Sequence, residues 1–254
     1  MDSAATWSCG ASAEPRYAWD MRSEYAAALD DVIWRALSGD QAQCSVGTGE
    51  ARRYAPGFSP IIGFADYERP RFDALAPYCE PGERFYCERW TGHAPRGFEV
   101  EHESTMVKMV WASAAPSVDE ASDAVALSSE HADRALELAV LTNPGPFGLR
   151  TIELGEYFGY FEGEQLIAMA GERMRAGPLR EISGVCTHPS ARGRGLAYRL
   201  MRKLIRRELR RGERPFLHVM SANTRARSLY RQMGFEEYRE TVVRVISRLA
   251  DAPP

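Results

Sequence analysis

Residues 185–197, Val-Cys-Thr-His-Pro-Ser-Ala-Arg-Gly-Arg-Gly-Leu-Ala, join an apolar strand to a glycine-spaced basic loop and the start of a long amphipathic helix. This combination suits a pyrophosphate. N–H groups in the first turn of a helix have no partner inside it, carry the positive end of the helix dipole and attract anions. Gly193 and Gly195 keep side chains out of the way, so phosphate oxygens can approach the backbone. Arg192 and Arg194 add positive charge at the same point. Two familiar phosphate loops do not fit. The P-loop needs Lys-Ser or Lys-Thr after its last glycine, whereas Leu196-Ala197 follows here. The dinucleotide fingerprint needs G-x-G-x-x-G and a later acidic strand end. Tyr198 stands where its third glycine would be, and no suitable acid follows.

A third pattern, Arg/Gln-x-x-Gly-x-Gly/Ala, matches Arg192-Gly193-Arg194-Gly195-Leu196-Ala197. Downstream, Pro-Phe-Leu-His-Val-Met at 215–220 reads as a short buried strand. It is followed by Asn223-Thr224-Arg225-Ala226-Arg227-Ser228-Leu229-Tyr230 and then Met233-Gly234-Phe235. Ala226, Leu229 and Met233 form an apolar row at helical spacing, and Gly234 stands where a helix ends. In this order the two blocks resemble the GNAT superfamily of N-acyltransferases, over about residues 120–250.

The resemblance implies an α/β fold with a twisted, mixed, mostly antiparallel sheet flanked by helices. It implies acetyl-CoA as acyl donor, with its pyrophosphate on Arg192, Gly193, Arg194, Gly195, Leu196 and Ala197. The pantetheine arm would pair with backbone at Val185, Cys186 and Thr187, as an added strand extends a sheet, with Gly184 marking a bulge that exposes it. Asn223 would contact the pantetheine or pyrophosphate. Tyr230 corresponds to the family's usual acid, and Glu181 stands at the offset of a glutamate base in histone-type members. Burial would raise the Glu181 carboxyl and make it a better proton acceptor. Cys186 opens a rival route through an acyl-cysteine, with His188 two residues on along the strand.

The elements that must position these groups fall into two units. All five tryptophans, Trp7, Trp19, Trp34, Trp90 and Trp111, lie in the first part of the chain, which implies two different cores. Residues 112–122 lose apolar periodicity and read as a linker, with a boundary near 117. The expected organisation is a flexible N-terminus at 1–20, an α/β unit at 21–116 and the acyltransferase domain at 117–254. The first unit loosely resembles a degenerate GNAT-like half. It reads as a helix from Ser23 to Leu37, strands at 58–64, 85–90 and 106–112, and a helical stretch at 71–75. The second reads as a strand at 124–127, a helix to about Leu141 capped by Ser128 or Ser129, and a short helix at 150–156. A hairpin around Glu162-Gly163-Glu164 and a strand at 179–187 then lead into the loop. The helix after the loop buries Leu200, Met201, Leu204 and Ile205, and its Arg-rich face reads as solvated. The tail, 237–249, supplies one or two strands.

Composition narrows the rest. A formal net charge of −3 argues against coating nucleic acid. No stretch is long and apolar enough for a membrane span, and the N-terminus lacks a signal-peptide pattern. Cys9, Cys44, Cys79, Cys87 and Cys186 are odd in number and scattered, as expected of free thiols in a cytoplasmic protein. Cys79 and Cys87 flank a turn and could pair. No Cys/His cluster has zinc spacing, so no metal is expected.

The leading expectation is therefore an acetyl-CoA-dependent N-acetyltransferase that works by direct attack in a ternary complex. Its amine acceptor would be a small molecule, or a lysine or N-terminal amine on a protein. The first unit would cover the acceptor site or support a homodimer, and Glu153, Glu156 and Tyr157 would line the acceptor pocket. The alternative is a non-catalytic acyl-CoA sensor, which retention of both Tyr230 and Glu181 disfavours.

Overall fold

Two sheets carry the chain, and one of them draws strands from both halves of the sequence. The computed structural model describes residues 24–250; Trp7, Trp19, Cys9, Ser23 and the segment 1–20 lie outside them. In chain order, α1 (Glu24–Asp30) and α2 (Val32–Arg35) precede a three-stranded sheet of β1 (Ser45–Gly47), β2 (Ala51–Tyr54) and β3 (Ile62–Phe64). Next come α3 (Phe72–Leu75), β4 (Arg84–Glu88), β5 (Phe98–Trp111), β6 (Val125–Leu127) and α4 (Ala132–Thr142). They are followed by β7 (Tyr157–Glu162), β8 (Gln165–Ala176), β9 (Leu179–Thr187) and α5 (Leu196–Arg210). The chain closes with β10 (Arg214–Met220), α6 (Thr224–Met233) and β11 (Phe235–Arg248). The large sheet has the order β4-β11-β5-β10-β9-β8-β7-β6. Strands from either side of residue 117 thus interleave: β5 lies between β11 and β10.

Strand alternation fixes which helix covers which face. Ala168 and Ala170 of β8 point into the core under α5, with Ile167, Leu200, Leu204 and Leu217. Met169, between them, points into the core under α4, with Ala135 and Leu138. On the sheet's other half, Val110, Met174 and Phe216 pack against Val32 and Ile33 of α2. Phe72, Phe85, Trp90 and Phe98 build a separate aromatic core beside the small sheet. Trp111 joins the α5 core instead, edge-on to Phe235.

Several sequence expectations are corrected. The long first helix breaks at Asp31. The helix expected at 150–156 is a single 3-10 turn, Thr151–Leu154. Strand β5 starts at Phe98, well before 106, because its first half is exposed and charged and is held by pairing with β11. The segment 112–122 is anchored: Ala121 is fully buried, and Asp119 and Glu120 bond to Lys203 and Arg202 of α5, each at 2.5 Å. Cys79 and Cys87 are buried free thiols.

Candidate active site

The site begins where two parallel strands part. β9 pairs with β10 only from Leu179↔Arg214 to Glu181↔Phe216. Beyond that point β10 continues alongside β5 to Met220, while β9 continues alongside β8 to Thr187. No strand among the described residues pairs with the β10-facing edge of β9 past Glu181. Gly184 sits at this divergence with φ +63°. Between the pairs Met169↔Cys186 and Gly171↔Ser183, β9 holds one residue more than β8, which is a bulge. Its effect on facing is visible: Ile182 and Cys186, an even number of residues apart, lie in opposite cores. The bulge turns Val185 toward the opening.

At the end of β9 the chain makes a 3-10 turn, Pro189–Ala191, and enters the glycine loop. Gly193 and Gly195 have φ of +82° and +72°, and a Cβ on either would meet nothing within 4 Å. Gly195 is the N-cap of α5 and provides no side chain for its first-turn N–H groups. Arg192 and Arg194 are exposed; Arg194 pairs with Glu162, and Arg192 has no ion-pair partner among the described residues. The loop thus has the open, left-handed backbone, uncapped helix start and positive charge that a pyrophosphate needs.

The wedge between β9 and β10 opens into a cavity of about 360 Å³. Val185, Val219, Asn223 and Tyr230 line it together with Ile33, Ile61, Met106 and Val243. Asn223 caps α6, accepting from the Ala226 N–H at 3.1 Å. Tyr230 packs edge-on to Phe235, and burial pushes its phenol up to about 12, so the hydroxyl keeps its proton at neutral pH.

Beneath the cavity lies a buried chain of charges. Glu181 is fully buried at the last residue where β9 still pairs with β10. Arg173 grips it with two bonds, Nε to Oε2 at 2.9 Å and Nη2 to Oε1 at 2.6 Å, and also reaches the Pro146 carbonyl at 3.3 Å. His218 Nδ1 lies 2.7 Å from Glu181 Oε1. Burial works to raise the Glu181 carboxyl, but the Arg173 guanidinium and His218 outweigh it and bring it down to about 2. An ionised carboxylate only accepts, so Nδ1 carries a proton toward Glu181, and in the neutral form of the ring Nε2 is the nitrogen that offers a lone pair. Nε2 is buried, lacks a hydrogen-bond partner among the described residues, and belongs to a ring lining the cavity. On its far side stands Glu88, whose Oε1 accepts from Lys108 Nζ at 2.8 Å.

Comparisons with known proteins place this geometry. The FR47-like protein family model matches residues 157–245, the stretch from β7 into β11. A solved structure described as a GNAT-family acetyltransferase, from Novosphingobium aromaticivorans, is 33% identical. It matches 87% of this chain and 99% of its own, with a TM-score of 0.78. The chain belongs to the GNAT family. Two further solved structures share the fold at low identity. A GCN5-related N-acetyltransferase from Kribbella flavida is 14% identical, with a TM-score of 0.56 over 89% of this chain and 96% of its own. A GCN5-related N-acetyltransferase-like protein from Streptococcus suis is 17% identical, with a TM-score of 0.54 over 89% and 97%. No curated protein matches the sequence.

In this GNAT chain the residues singled out from sequence separate into three groups. Val185, Asn223 and Tyr230 share the cavity, and Arg192–Ala197 caps the end of β9. Glu181 is brought close but lies behind His218, and its carboxyl moves down rather than up, because Arg173 is buried with it. Cys186 faces the α4 core instead, with Leu138 and Met169, and burial lifts its thiol to about 11. His188 does not assist it; its ring engages Ser190 at 2.7 Å and Gln165 at 3.3 Å.

None of Glu153, Glu156 and Tyr157 lines the cavity. Glu153 bonds to Arg150, Glu156 to Arg207 and Arg211, and Tyr157 is buried against Phe147. The basic face of α5 is extensively ion-paired, with Arg199, Arg202, Lys203 and Arg207 holding carboxylates, as does Arg211 just past its end, while Arg207 and Arg210 remain exposed. Sequence reasoning missed His218, Glu88 and Arg173 as site residues. One signal was available: His218 lies in an otherwise apolar strand run, where a polar residue requires a buried partner.

Proposed function

We propose that this chain is an acetyl-CoA-dependent N-acetyltransferase that transfers the acetyl group directly to an amine. The observation that carries this reading is the parting of β9 from β10 directly above a cavity shared by Tyr230 and His218. The open edge of β9 at Val185, Cys186 and Thr187 offers backbone groups to the pantetheine amides, with Asn223 beside them. The glycine loop and the α5 N-terminus suit the pyrophosphate. Bound acetyl-CoA would supply an activated acyl group beside Tyr230 in the cavity.

The chain's own residues then handle protons. His218 Nε2 takes one from the acceptor ammonium, leaving the nitrogen neutral and able to attack. Glu181 holds the imidazole in the tautomer that makes this possible, and Arg173 holds Glu181. As the N–C bond forms and the C–S bond breaks, Tyr230 gives its proton to the departing thiolate. The second nitrogen proton restores the tyrosine, and His218 passes its proton to water. The net products are amide, thiol and one proton.

Release of free CoA thiol with a panel of amines tests the reading, and tight acetyl-CoA binding without turnover on any amine would favour a sensor. Tyr230→Phe is expected to lower turnover by up to about 10²-fold with the KM for acetyl-CoA near wild type. Unchanged turnover at saturation would remove Tyr230 from the chemistry.

A further inference from the structure

We propose that the acceptor is a small primary amine on an apolar body, held as its ammonium between Glu88 Oε2 and His218 Nε2. This rests on the transferase reading above and names its substrate class. Glu88 is 1% exposed, and only one of its carboxylate oxygens is used: Oε1 takes the Lys108 ammonium, while Oε2 has no hydrogen-bond partner among the described residues. His218 Nε2 is likewise unpartnered, and the two atoms stand 3.8 Å apart. Both side chains line the cavity.

Nδ1 carries a proton toward Glu181, so in its neutral form His218 has its lone pair at Nε2, and two acceptors then converge with no donor from the protein between them among the described residues. At 3.8 Å they are too far apart to bond to each other and close enough to share one donor group. An ammonium carries three N–H donors and can serve both. A hydroxyl has one.

The rest of the cavity describes what the amine is attached to. The cavity that holds the acceptor pair is lined mostly by apolar side chains, among them Ile33, Ile61, Met106, Val243 and Val245, with Tyr86, His102, Ser104 and Asn143 among the polar members. Arg173 is the one lining residue with a permanent positive charge among those described, and its guanidinium is spent on Glu181 and the Pro146 carbonyl. A carboxylate on the acceptor would meet no free guanidinium or ammonium there. The volume, about 360 Å³, lies at the low end for ligand cavities and must also admit the thioester. That favours a compact acceptor.

The full-length protein with saturating acetyl-CoA provides the test, read as CoA thiol released from phenethylamine, hexylamine, phenylalanine and a lysine-containing peptide. The expected result is a kcat/KM for the two apolar amines at least 100-fold above that for phenylalanine or the peptide. Phenethyl alcohol should fail to compete at concentrations where phenethylamine saturates. Glu88→Gln should raise the KM for phenethylamine at least tenfold more than it lowers kcat, because the amide turns a donor toward the ammonium. Should that variant not fold with Lys108 left buried, Glu88→Gln combined with Lys108→Met removes both charges and reads the same KM. Phenylalanine or the peptide turning over as well as phenethylamine would overturn the proposal and leave the transferase reading intact. Calorimetric binding of phenethylamine without CoA release from any acceptor would support the amine site and sink the transferase reading. Absence of both binding and turnover of the apolar amines would overturn the amine site.

Discussion

His218→Gln is expected to lower turnover at saturating amine by about 10²–10⁴-fold, the usual contribution of a positioned acid or base, while the protein remains folded. The glutamine amide can still donate to Glu181 in place of Nδ1, so the buried carboxylate keeps a partner as well as Arg173. What it cannot do is take a proton. The KM for acetyl-CoA should stay near wild type, since the loop and the β9 edge are untouched. Glu181→Gln should also slow turnover, because the imidazole loses the acceptor that sets its tautomer. If the two residues act as one device, the double variant will be about as slow as the slower single variant instead of showing the product of the two effects. A His218→Gln enzyme within twofold of wild type would show that another group or water removes the proton.

Arg173→Met should destabilise the fold by about 3–5 kcal/mol, because it leaves a buried carboxylate without its main partner. Glu181 is fully buried and stays ionised only because two guanidinium bonds and His218 oppose its desolvation. The variant also loses one of two bonds to the Pro146 carbonyl, the other coming from Ser59 Oγ at 3.0 Å. The pH dependence gives a second readout. The native carboxyl is lowered from 4.5 to about 2, so its stabilising contribution is complete above about pH 4.5 and is lost as pH falls toward 2. Protonating Glu181 removes the charge that Arg173 compensates. The deficit between variant and wild type, measured by denaturant unfolding, should therefore shrink across that same window. A deficit that stays constant from pH 6 to pH 3 would show that Arg173 acts by packing alone.

The geometry of the proposed donor half was legible because it is local. A glycine loop, a helix start and a capped helix are each specified by neighbouring residues, and their spacing along the chain nearly fixes their spacing in space. Arg192–Ala197, Asn223 and Tyr230 therefore fell where their motifs implied. The same locality made the β7–β8 hairpin and the buried face of α5 readable. Where a segment's character came from a distant partner, the sequence misled. Residues 98–105 look unlike a strand because Glu99, Glu101 and Glu103 alternate through them, yet thirteen residues of β11 hold β5 in register. Residues 112–122 look like a linker because the apolar periodicity lapses, yet their acids grip α5.

The acceptor half was not legible for the same reason. Glu88, Lys108, Arg173, Glu181 and His218 come from five different strands, and only the sheet order β4-β11-β5-β10-β9-β8 brings them together. No spacing rule links them. The sequence alone determined the backbone conformations of the loop and the helix starts proposed to hold the donor, because particular glycines and helix caps allow them. The tertiary structure decided which charged groups are buried together. Whether a glutamate is a base or an anchored anion depends on the charges buried beside it, and those arrive from strands far away in the chain.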